Sequence, residues 1–129
     1  MTVFRPVRAA PALAALALPA RAGAEEVPSG QPVSLIETIE EEAPDGLVLR
    51  YRFLAPEAGA LGFEARLADM AHLCETVALP EIGARGLSPA RVVVSLSEAP
   101  IAFGTRDPAT AQYFEVYRVE GARCIWEAF

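Results

Sequence analysis

The sixteen residues FEARLADMAHLCETVA, positions 63–78, decide how this chain is read. Phe63, Leu67, Met70, Cys74 and Val77 recur at spacings of four, three, four and three. That places them on one stripe of an amphipathic helix. Leu79-Pro80 then ends the helix, and residues 81–90, with Gly83, Gly86 and Pro89, form a loop. Everything around this segment carries the other period. Leu47, Leu49, Tyr51 and Phe53 alternate with Val48, Arg50 and Arg52, as in a strand with one wet face.

Working outward, Val33–Glu42 reads as a first strand, joined to 47–53 by the turn Ala43-Pro44-Asp45-Gly46. That hairpin would bring Glu37, Glu40 or Glu41 beside Arg50 and Arg52. Such a cluster could bind an anion, but cross-strand pairing on a wet face is the simpler reading. Arg91–Ser97 alternates again. Ile101–Phe103 offers a short extended piece, and Asp107-Pro108 a cap for one helical turn. Tyr113–Val119 and Arg123–Trp126 are runs of β formers around Glu120-Gly121-Ala122, a tight hairpin. Residues 108–118 could be helix or strand. The resulting order is β-β-α-β-β-β. The fold class is α+β, a small antiparallel sheet with the one main helix packed on a face.

The chain's single histidine, His72, lies two residues before one of its two cysteines. On a helix, positions i and i+2 point about 200° apart, so His72 and Cys74 cannot share a metal or a proton. Cys74 lies in the apolar stripe, and its expected partner is Cys124 on the last strand, as a structural disulfide. A redox dithiol and a pair of buried free thiols are the alternatives. His72 faces the same way as Asp69 and Glu75, each three residues away. An acid–His–acid stripe could serve as a general base or a weak metal patch. It is also what the polar side of any amphipathic helix carries.

The first 24 residues read as a secretory leader. Arg5 and Arg8 precede the apolar run Ala9–Leu18, and Ala22-Gly23-Ala24 supplies small residues for cleavage after Ala24. The run is too short for a membrane anchor and is interrupted by Pro11 and Pro19. Residues 25–129 are then one domain in the periplasm, and 25–32 an extended lead-in. The whole chain carries a net charge of −6. Removing Arg5, Arg8 and Arg21 takes the mature chain to −9. An acidic surface of that size repels nucleic acid and anionic lipid. There is no lysine, which removes Schiff-base and P-loop chemistry. No G-x-S-x-G, C-x-x-C or H-E-x-x-H appears.

Aromatic residues gather near the end of the chain. Tyr113, Tyr117 and Phe129 could form a recognition surface, while Trp126, on the strand face of Cys124, would complete a core. Several blocks together resemble a family of small exported proteins of alphaproteobacteria, typical of Rhodobacter relatives. They are VPSGQPV (27–33), HLCE (72–75), VSLS (94–97), YFE (113–115), YRV (117–119) and CIWEAF (124–129). The resemblance implies a domain of unknown function and supplies no catalytic residues. An acetolactate-synthase label would require thiamine-diphosphate and magnesium sites that a chain of this size cannot build.

The expectation is a non-catalytic periplasmic module without cofactor or metal, binding an unknown envelope protein. A small metal-handling protein or enzyme using Asp69, His72 and Glu75 is one alternative. A thiol-redox protein is the other.

Overall fold

A computed structural model describes residues 24–128. Residues 1–23, all of the expected leader (1–24) but Ala24, and Phe129 lie outside the described residues. Six strands form one curled, mixed sheet whose spatial order is the chain order: β1 (Ala24–Glu25), β2 (Val33–Ala43), β3 (Gly46–Leu54), β4 (Arg91–Ser97), β5 (Gln112–Glu120) and β6 (Arg123–Trp126). Between β3 and β4, α1 (Phe63–Leu73) runs through a π-helical segment (Cys74–Ala78) into α2 (Leu79–Arg85). Together they make one 23-residue helix. The α+β class and a helix on one sheet face are as the sequence reads. The dyad strand β1, which pairs with Val33 and Ser34, was not expected.

Two expectations are corrected. First, the sheet is not wholly antiparallel. β3 and β4 pair in parallel, Val48 against Arg91 through Leu54 against Ser97. A helix-bearing crossover between adjacent strands allows this. In RVVVSLS every residue after Arg91 is buried, as an interior strand of a parallel pair requires. Second, Pro80 does not end the helix. The Leu79 N–H donates to the Cys74 carbonyl, five residues back. This widened turn restarts the helix with Pro80 in the first turn of α2, where an amide donor is not needed. The true stop is Gly86, at φ 64°, with Leu87 N–H reaching back to the Ile82 carbonyl at 3.0 Å.

β2 and β3 form the expected hairpin, with Ala43 opposite Gly46. The face expected to be solvated pairs Arg50 with Glu41 at 2.7 Å and Arg52 with Glu37, but Val48 and Arg52 on it are buried, so β3 is covered on both faces there. Glu40 lies on the other face and meets Arg85 of the helix at 2.7 Å. Residues 101–103 are not a strand, and Asp107 caps a turn rather than a helix, accepting from the Ala109 N–H at 2.9 Å. Residues 112–120 are strand throughout.

The core lies between the sheet and the helix. Leu49, Tyr51, Phe53, Val92, Val94, Leu96 and Tyr117 meet Met70, Leu73, Cys74, Ala78 and Ile82. The helical stripe therefore starts one turn later than its spacing suggests, and Phe63 is 57% exposed. Cys74 and Cys124 are bonded, tying the middle of the helix to the last strand across 50 residues of chain.

Burial pushes the Tyr51 and Tyr117 phenols well above the usual tyrosine range, with Glu81 adding to the effect at Tyr51 and Glu115 and Glu75 at Tyr117. The fold thus favours the neutral phenols. Their stabilisation is complete below the unfolded value of about 10 and is lost as pH rises above it. Tyr117 Oη is buried with no hydrogen-bond partner among the described residues. Tyr117→Phe should therefore leave the urea midpoint at pH 7 unchanged or higher, and should shrink its fall between about pH 10 and 11. A lower midpoint at pH 7 would mean the hydroxyl has a partner.

Candidate functional site

The residues singled out on the helix do not form one patch. Asp69 is fully buried and faces the lead-in, not solvent. It accepts from Ser29 N–H at 2.9 Å, Ser29 Oγ at 2.5 Å and Gln31 Nε2 at 2.8 Å. His72 is half-buried and Glu75 exposed. Glu75 Oε2 accepts from the Cys124 N–H at 3.3 Å. Asp69 thus turns inward because residues 27–33 fold back onto the helix. Among the described residues, no group of three or more His, Cys, Asp or Glu side chains is placed to hold a metal ion.

The aromatic surface is also rearranged. Tyr117 is buried, so it is a core residue rather than a surface one. Tyr113 is half-buried, with the Arg66 guanidinium 4.1 Å above its ring. Trp126, expected in the core, is 45% exposed, and its Nε1 donates to Glu115 at 2.6 Å. It shares the Cys124 face, but β6 is a four-residue edge strand and the helix covers that face only partly. Phe129 lies outside the described residues.

Exposed Phe63 and half-buried Tyr113 border a cleft that the sequence did not disclose. Its helix wall is Phe63, Arg66, Leu67 and Met70, and its floor is the start of β5, from Gln112 to Glu115. Next to it, Leu67, Ala68 and Ala71 face Tyr117 and Trp126 across a second, nearly all-apolar hollow. The first holds about 240 Å³. Small-molecule and cofactor sites are commonly ~300–1,000 Å³, so it better suits one side chain. Arg66 fixes its geometry by donating to the Ala58 and Leu61 carbonyls while stacking on Tyr113.

Among the described residues, one edge of β5 has no strand beside this cleft. β6 pairs only with Tyr117–Glu120, and the Glu127 N–H extends contact to the Val116 carbonyl at 2.9 Å. On the other side, the Glu98 N–H meets the Ala111 carbonyl at 3.1 Å. Alternation along an antiparallel strand then turns the main-chain groups of Gln112 and Phe114 away from β4. Among the described residues no strand lies beside them.

A model of a family of unknown function (DUF6497) matches residues 9–129. The chain belongs to that family. No curated protein and no solved structure matches it. This DUF6497 domain has no helix, among the described residues, long and apolar enough to cross a membrane. Its disulfide suits an oxidising compartment. Of the residues read as a recognition surface, Tyr113 borders the cleft and Tyr117 the adjoining hollow. Phe63 and Phe114 were missed. The sign available was an aromatic at the first position of a helix, where a stripe residue has the least sheet beneath it.

Proposed function

We propose that this DUF6497 domain is an exported, non-catalytic protein-binding module of the bacterial periplasm or envelope, and that it binds through the cleft between α1 and β5. The observation that carries the reading is the cluster of exposed aromatic side chains there. Phe63 is 57% and Trp126 45% exposed, with half-buried Tyr113 on the same sheet face; Phe114, 55% exposed, pairs with Ser95 and turns its side chain to the opposite face. Large aromatic residues are costly in water and are the usual anchors of interfaces. The frame beneath them is stapled by Cys74–Cys124, so little order has to be gained on binding. Export is supported by the leader pattern in residues 1–24 and by the disulfide. The acidic charge argues against nucleic acid.

A photo-crosslinking aromatic residue placed at Phe63 should capture one discrete envelope protein in the periplasmic fraction. The same residue at exposed Glu42, near the end of β2, should not. Phe63→Glu should lower recovery of that partner by at least tenfold. Equal capture from both positions, or none from Phe63, would end this reading.

A further inference from the structure

The stretch of β5 that has no strand beside it among the described residues has a hollow on each of its two sides. On the helix side is the cleft of Phe63, Leu67 and Met70. On the opposite sheet face, Arg52, Phe103, Thr105, Arg106, Gln112 and Phe114 line another, of about 350 Å³. Gln112 and Phe114 border both. We infer that the partner binds as an extended segment added to the β5 edge, with alternate side chains entering the two hollows, apolar on the helix side and acidic on the other. This rests on the protein-binding reading above and specifies its mode.

Three observations lead there. The outward main-chain groups of Gln112 and Phe114 can be satisfied in register only by another strand, which supplies matching donors and acceptors. Side chains of such a strand point to opposite faces with period two, and hollows on both faces of the edge match that period. The two hollows differ in chemistry. The helix-side one is walled by Phe63, Leu67 and Met70, and its charged groups are already engaged: Arg66 with the Ala58 and Leu61 carbonyls and the Tyr113 ring, Glu115 with Trp126 Nε1. The far one is lined by two arginines and no acid. Arg52 is already engaged, donating to Glu37 and to the Ile101 carbonyl at 2.7 Å, with Phe103 stacked 5.7 Å from its guanidinium. Arg106 has no ion pair or hydrogen bond among the described residues. In a chain of net negative charge, that hollow is where an acidic side chain finds a cation.

The test uses two end-blocked hexapeptides, one alternating valine with aspartate and the other valine with arginine, added to the isotope-labelled mature protein. In the free protein the Gln112 and Phe114 amides should exchange quickly. The valine–aspartate peptide should slow their exchange by at least tenfold, and the valine–arginine peptide should bind at least tenfold more weakly. Phe114→Pro should abolish the protection. Its missing N–H points outward, so the β4–β5 ladder stays intact. Arg106→Glu, which leaves the strand untouched, should invert the charge preference.

Slow exchange in the free protein would show the edge already covered and overturn the inference. Protection that grows with protein concentration alone would assign the edge to a second copy, with the same result. Equal binding of both peptides would remove the acidic specificity. If the partner captured from Phe63 is unaffected by Phe114→Pro, strand addition fails while the protein-binding reading stands. If neither position captures a partner, the reading itself fails.

Discussion

Replacing Cys74 and Cys124 together by alanine is expected to lower the unfolding free energy by ~4 kcal/mol, the chain-entropy value for a closed loop of about 50 residues. Domains of this size have only ~5–15 kcal/mol in total. The effect should be large here because the bond secures the least supported part of the sheet. β6 is four residues long, has one neighbour, and meets the helix through Cys124. Alanine is preferred to serine, since Cys74 is fully buried and a hydroxyl there would lack a partner. Urea titrations of the variant and of the reduced wild type should agree. Amides of 117–120 and 123–126 should lose exchange protection before those of β3 and β4. A loss below about 1 kcal/mol in both samples would mean that the sheet holds β6 without the bond.

Asp69→Ala should cost ~3 kcal/mol or more. Three donors converge on the carboxylate, and hydrogen bonds to a charged group contribute ~1.5–3 kcal/mol each. Without it, the buried Gln31 side-chain amide would be left with no acceptor, and the part-buried Ser29 amide and hydroxyl would lose the contact that holds residues 27–33 to the helix. Asp69→Asn should fall between, because one oxygen remains while its NH2 meets other donors. His72→Ala, on a half-buried surface of the same helix, should change stability by about 0.5 kcal/mol or less. Denaturant unfolding of the three variants would decide it. If Asp69→Ala costs no more than His72→Ala, the carboxylate is not what fastens residues 27–33 to the helix.

That contrast marks where sequence reading stops. The strand 47–53, its turn, the hairpin 113–126 and the Cys74–Cys124 bond were all legible, because each depends on local period, turn chemistry or the scarcity of a residue type. Asp69 was not. Its partners lie 38 and 40 residues upstream, in a segment with no periodicity. Pro80 misled because its cost depends on the turn before it, and a π-helical turn has no obvious sequence mark. The parallel pairing of β3 and β4 was visible in the burial pattern of RVVVSLS only in retrospect. The cleft and bare edge were least legible. They arise from how far β6 runs beside β5, a length that no residue type announces.

The sheet's strand order has a further consequence, for the sequence of assembly. Every strand pairs with its predecessor in the chain, so a polypeptide emerging from its N-terminus finds each partner already present. Only the helix-bearing crossover delays a pairing, and its loop-closure cost grows slowly with length. The bond from the middle of that helix to β6 reaches across β4 and β5, so the folded chain holds the two sulfurs together only with both strands docked. With two cysteines there is one possible pairing, so oxidation cannot trap the chain in a wrong one.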